Sequence, residues 1–140
     1  MDAKFAVGAV LLIGVILIAG CTQQPQAEPT LKIGVVASMT GSASTTGKDI
    51  WQSAVLAVEE INADGGVYIK DLGRKVPIEA ILGDDESTRE GGQKAVTRLV
   101  TEDKVDLLVG GFSSAVVSSH QAIVNEHQVP YIVTGASSPI

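Results

Sequence analysis

The sequence predicts an α/β fold, a doubly wound parallel sheet, and three of its features do so. From Leu31 onward, short apolar runs alternate with longer segments of helical period. The connectors between runs are long enough to hold crossover helices, which parallel strands require and hairpins do not. The stretches that follow the runs are rich in Ser, Thr and Gly, residues that turn a chain and open a helix.

Leu31 to Ala37 (Leu-Lys-Ile-Gly-Val-Val-Ala) reads as a buried strand. Gly47 to Ala63 reads as a helix, because Ile50, Ala54, Val58 and Ile61 share one face at the 3.6-residue period. Thr46, followed by Asp49, is its expected cap, and Asp64-Gly65-Gly66 ends it. Val67 to Lys75 is a loop or a hairpin. Val76 to Leu82 is the second strand, and Pro77 near its start places it at a sheet edge. Ser87 and Glu90 have the spacing of a capping box for a helix running to about Glu102, with Gly91 and Gly92 expected to fray its first turns. Val105 to Val109 is the third strand, Ser113 to about Gln128 the third helix, and Pro130 to Val133 the fourth strand. Right-handed crossovers then give the strand order 2-1-3-4.

Ahead of the first strand, an apolar run from Phe5 ends in Ile18-Ala19-Gly20-Cys21, and Cys21 is the only cysteine. The run falls short of the roughly 20 residues of a spanning helix. Lys4 supplies a positive start, and the small residues before Cys21 let a peptidase approach the backbone and leave the thiol to carry lipid. These residues resemble a lipobox. The reading is a lipoprotein signal peptide over residues 1–20, lipidation at Cys21 and a polar, proline-bearing tether over 21–30. An uncleaved anchor and a buried structural cysteine are the alternatives. One acyl chain binds a bilayer only marginally, so stable anchoring takes more than one.

No internal disulfide can form from one cysteine. The formal net charge of -6 survives loss of the first twenty residues, since Asp2 and Lys4 leave together. An acidic chain without a Lys/Arg cluster excludes nucleic acid as a partner. It also gives no electrostatic adhesion to an anionic bilayer, which leaves the lipid as the attachment.

In a doubly wound sheet the ligand crevice lies outside the carboxyl ends of the strands, near the switch point between strands one and three. Four loops qualify: 38–46, 83–86, 110–114 and 134–140. Three are rich in hydroxyls and glycine, and the helix N-termini behind them favour anions. Any single serine there is explained by helix capping; three such loops converging on one crevice point to a binding site.

Enzymatic and metal motifs fit poorly. Gly41 to Asp49 has five residues between its glycines where a phosphate loop needs four, and Asp49 replaces the magnesium-binding hydroxyl. No G-x-G-x-x-G follows the first strand, so no dinucleotide cofactor is implied. Gly111-Phe112-Ser113-Ser114-Ala115 has the strand-turn-helix setting of a hydrolase nucleophile but lacks the final glycine. His120 and His127 lie along the following helix, where a catalytic base would arrive from a later loop, and they read as solvated or half-buried helix residues too far apart for a metal pair. Asp84-Asp85-Glu86 reads as a solvated turn rather than a cation site. Trp51 is a crevice wall or ordinary packing. No catalytic residue, metal or cofactor is assigned, and a serine hydrolase using Ser113 is the alternative.

Several stretches also carry a resemblance. Leu31-Lys-Ile-Gly-Val-Val-Ala, Met39-Thr-Gly-Ser, Ala57-Val-Glu-Glu-Ile-Asn-Ala-Asp-Gly-Gly, Val105-Asp-Leu-Leu-Val-Gly-Gly-Phe-Ser-Ser-Ala and Val129-Pro-Tyr-Ile-Val-Thr-Gly-Ala-Ser-Ser-Pro resemble, in this order, the start of the substrate-binding proteins of branched-chain amino acid ABC transporters. The likeness runs from about Leu31 to Ile140. It implies the type I periplasmic-binding-protein fold, in which two α/β lobes close on an amino acid or related small polar ligand. Residues 31–140 would then be a partial, truncated N-terminal lobe. ABC permease subunits are the implied partners, and the extracytoplasmic face of the membrane the implied location.

The resemblance makes Ser114 the hydroxyl that binds a ligand carboxylate, with Ser113 as its neighbour. Gly135, Ala136 and Ser137 supply backbone and a hydroxyl after the fourth strand. Thr46 stands where some members carry an aromatic residue and departs from the leucine-like pattern. A disulfide of some members is absent, with Ser113 at one of its positions. A ligand-sensing receptor module of the same fold is the other alternative.

Overall fold

The computed structural model describes residues 28–138; Cys21, the signal-peptide segment and most of the tether lie outside them. The chain forms β1 (Leu31–Ala37), α1 (Ser44–Ala63), β2 (Val67–Ile69), β3 (Arg74–Val76), β4 (Ile78–Asp84), α2 (Arg89–Thr101), β5 (Leu107–Gly110), α3 (Ser114–His127) and β6 (Tyr131–Val133). Four strands make one sheet in the order β4-β1-β5-β6, every pair parallel, and β2 and β3 form a separate antiparallel hairpin. Leaving the hairpin aside, this is the expected order 2-1-3-4. β4 is an edge strand, with Pro77 immediately before it.

The path explains the layers. The crossover from β1 to β4 runs one way along the sheet and those from β4 to β5 and β5 to β6 run the other, so right-handed connections put α1 on one face and α2 with α3 on the opposite face. α1 packs on β1 and β4, while α2 packs on α3 and on the other side of β1 and β4. Alternation along β1 serves both layers. Val36 points into the core shared by Val96, Leu99 and Val100 of α2, Leu108 of β5 and Val124 of α3. Val35 is fully buried on the other side. Burying each such side chain stabilises the fold by roughly 1.5 to 3 kcal/mol. Among the described residues no helix is long and apolar enough to cross a membrane.

The element ends differ from expectation for local reasons. α1 begins at Ser44, after Ala43, which makes no side-chain capping bond, so Thr46 lies inside the helix. Val76 pairs with Val67 in the hairpin, which delays the following strand to Ile78. α2 is capped by Thr88, whose Oγ1 accepts from Gly91 N at 2.9 Å. Ser87 and Glu90 therefore form no capping box. Gly91 and Gly92 are buried rather than frayed. A Cβ on Gly92 would come within 2.7 Å of Val116 and 3.1 Å of His120 Nδ1, and one on Gly91 would collide with the Asp85 carbonyl. The missing side chain of Gly92 lets α2 lie close to α3, and that of Gly91 lets it close on the turn after β4.

Candidate functional site

The carboxyl ends of β1 and β4 are joined by side chains. Asp84 Oδ1 accepts from Met39 N (2.9 Å), Thr40 N (3.4 Å) and Glu86 N (2.9 Å), and its Oδ2 accepts from Thr40 Oγ1 (3.0 Å). Burial alone would raise the Asp84 pKa, but these donors outweigh it and hold the carboxyl below its ordinary value. Ser38 Oγ donates to Asp85 Oδ1 at 2.5 Å, and Ser87 N donates to the same oxygen at 2.8 Å. Ser87 Oγ donates to Thr40 O (2.8 Å) and accepts from Ala43 N (3.0 Å). Glu86 and Ser87 both adopt positive φ, 53° and 57°, to make this turn. Asp85 is 1% exposed. Asp84 and Asp85 are therefore not a solvated turn but an internal staple between two loops, and only Glu86 of the triplet is exposed.

The carboxyl ends of β5 and β6 are joined mainly through backbone. Gly110 and Gly111 take φ of 105° and 78°, conformations that favour glycine. Thr134 N donates to Gly110 O (3.0 Å) and Gly135 N to Gly111 O (3.0 Å), while Gly111 N donates back to Val36 O of β1 (2.8 Å). One side-chain bond closes the pair: Ser138 N donates to Ser114 Oγ at 3.2 Å. Ser113 is the N-cap of α3, with no side-chain capping bond. The opening N–H groups of α3, at Ser114 and Ala115, have no carbonyl within the helix to receive them and project from its positive end.

These two loops thus bring together Ser113, Ser114, Gly135, Ala136 and Ser137. Ser113, Ser114 and Ala136 are half-buried, while Gly135 and Ser137 are exposed. Thr46 sits apart from them, in a neighbouring cavity of about 420 Å³ between α1 and the sheet, with Asp49, Ile50, Ala54, Val109, Gly110 and Thr134. The apolar residues there were missed by motif reading. Ile50 and Ala54 were visible only as the sheet-facing stripe of α1. Trp51 is half-buried.

The histidines differ from each other. His127 is exposed, whereas His120 is 0% exposed, contrary to the expectation of a solvated or half-buried residue. Its ring lies 5.6 Å from that of Tyr131, centroid to centroid. Burial lowers its pKa to about 4, against an opposing pull from Asp85. Burial and the same carboxylate raise the pKa of Tyr131. Neither ring nitrogen of His120 has a hydrogen-bond partner among the described residues, Ser113 included. Nor do the described residues bring together three His, Cys, Asp or Glu side chains able to hold a metal ion.

Residues 30–139 match a family model described as periplasmic binding protein. The chain is 31% identical over 123 residues to the Leu/Ile/Val-binding protein BraC3 of Rhizobium johnstonii, a match covering 88% of this chain and 32% of that protein. It is 27% identical over 139 residues to an amino acid binding protein of Pseudomonas aeruginosa, covering 99% and 35%. Among solved structures it superposes on the branched-chain amino acid transporter substrate binding protein LivJ from Streptococcus pneumoniae, in complex with isoleucine. The TM-score is 0.71 at 33% identity, over 79% of this chain and 30% of that one. A solute binding protein of an ABC transporter from Rhodopseudomonas palustris BisB5, in complex with 3,4-dihydroxy benzoic acid, gives a TM-score of 0.64 at 28% identity, over 78% and 28%. The chain spans about a third of the length of the curated relatives it matches.

Proposed function

The chain belongs to the periplasmic binding protein family, and on that premise we propose that it supplies the N-terminal lobe that captures an amino acid or related small carboxylate for ABC-transporter uptake. The pairing of the β5–α3 loop with the segment after β6 carries this reading. It brings the Ser114 hydroxyl and the opening N–H groups of α3 beside the segment that carries residues 135–137, next to a largely apolar cavity rimmed by Thr46 and Asp49. A carboxylate placed there accepts charge-assisted bonds worth about 1.5 to 3 kcal/mol each where solvent is excluded. The apolar body of the ligand then lies toward Ile50, Ala54 and Val109, with Thr46 at the polar side. Isoleucine and 3,4-dihydroxy benzoic acid, the ligands of two relatives, both join a carboxylate to a hydrocarbon frame, aliphatic in the first and a dihydroxylated ring in the second.

Full exclusion of solvent takes a second lobe closing over the first. Cys21 is the lipid attachment point after removal of residues 1–20, residues 21–30 tether the lobe to the outer face of the membrane, and permease subunits receive the ligand. The buried, neutral His120, turned to Tyr131 rather than bonded to Ser113, supports binding over hydrolysis by Ser113.

Calorimetry on the protein with both lobes tests this directly. Ser114→Ala should weaken ligand binding by about tenfold or more, the equivalent of one lost charge-assisted bond. Ester hydrolysis that disappears in Ser113→Ala would sink the binding reading. Mass spectrometry of the mature N-terminus should find an acylated Cys21; an intact Met1 would defeat the anchor.

A further inference from the structure

The β2–β3 hairpin and its turn, residues 67–76, carry an unusual surface for so acidic a chain. Tyr68 is 60% and Leu72 49% exposed. Lys70, Arg74 and Lys75 are exposed around them, and Asp71 is the only carboxylate within the hairpin. Buried Val76, paired with half-buried Val67, roots the hairpin on the lobe. Lys75 Nζ donates to the Asp64 carbonyl at 2.6 Å, which holds that ammonium at the hairpin's base. None of the other exposed large apolar side chains among the described residues, Leu56 and Ile61 on α1, Phe112 and Ile132, has a lysine or arginine within three residues of it in the sequence.

Its position matters as much as its composition. The hairpin joins the end of α1 to the start of β4, and Leu31 N donates to Pro77 O at 2.9 Å, tying it to the place where residues 21–30 enter the lobe. The crevice loops lie at the opposite end of the strands, roughly 20 Å away along the seven residues of β4. We propose that the β2–β3 hairpin is a membrane-contact surface, its partner an anionic lipid headgroup layer. Lys70 and Arg74 meet the phosphates while Lys75 stays at the base, Tyr68 sits at the interface and Leu72 enters the acyl boundary. The lobe then stands on the membrane with its crevice turned to solvent. The net charge of -6 conceals this local reversal of sign. The proposal goes beyond the anchored binding reading and uses it only for what brings a bilayer near.

The test uses the full chain, produced in a lipoprotein-processing host and placed on vesicles of neutral phosphatidylcholine, with or without phosphatidylglycerol, containing brominated lipid. Trp51, the only tryptophan, lies at the crevice end and serves as the wild-type control. In Trp51→Phe/Tyr68→Trp the indole should be quenched on anionic vesicles, less on neutral ones. Neutralising Lys70 or Arg74 with glutamine should weaken that contact by about fivefold each, and Lys75→Gln by less. Trp51 should stay unquenched. A vesicle-bound, acylated chain with an unquenched Tyr68→Trp indole would overturn the hairpin surface and leave the anchor standing. Quenching without acylation would do the reverse, and hairpin crosslinks to a membrane protein without lipid quenching would also overturn the proposal.

Discussion

The two pairs of loops at the carboxyl edge of the sheet are built on opposite plans. Between β1 and β4, carboxylates and hydroxyls bond to one another and to backbone: Asp84, Ser38, Thr40, Ser87 and one oxygen of Asp85 turn their polar atoms inward, while the other Asp85 oxygen is buried without a partner among the described residues. Between β5 and β6, backbone carries the closure and leaves the α3 N-terminus facing solvent, with Ser114 making a single bond. Similar residue types thus serve structure at one end of the edge and, in the proposed function, recognition at the other. The difference lies in whether each donor already has an acceptor.

That contrast can be broken first at Asp85. Removing its carboxyl in Asp85→Ala strips acceptors from Ser38 Oγ and Ser87 N and should cost roughly 3 to 4 kcal/mol in urea unfolding. A loss no larger than that of a surface substitution would remove the staple from the account. Acidification probes the helix packed behind it. The folded pKa of His120 is about 4 and its ordinary value 6.5, so between these the unfolded chain binds more protons. Stability should therefore fall as pH drops from 6.5 toward 4, by about 3 kcal/mol over the window. His120→Leu should flatten that slope; an unchanged slope in the variant would assign it to other groups. On the open side, Ser114→Ala should move the unfolding free energy by less than about 0.5 kcal/mol. A larger loss would make Ser114 structural.

How far these plans were legible in the sequence follows from the range of the interactions that set them. Alternation of apolar runs and periodic segments is local, and with the handedness of crossovers it yields the strand order, the edge position of β4 and the four crevice loops. The cap of α2 was displaced from Ser87 to Thr88 because Ser87 is recruited across space by Thr40 and Ala43, a contact no local spacing encodes. The burial of Asp85 has the same origin. His120 was readable in principle: with Val116, Val117 and Val124 it completes the apolar stripe of α3. Ser113, Ser114 and residues 135–137 came from resemblance. The cavity beside Thr46 needed the seating of α1 on the sheet, which fixes where Ile50 and Ala54 face.

The central claim, that ligand is met by the open loops and not by the stapled ones, is read most directly by amide NMR of this chain titrated with an apolar amino acid. The account predicts weak binding, with shifts concentrated at residues 113–115 and 134–138 and along the α1 face of the cavity, while residues 38–41 and 84–88 stay in place. Shifts centred on Asp84 to Ser87, with Ser114 and its neighbours unmoved, would contradict it.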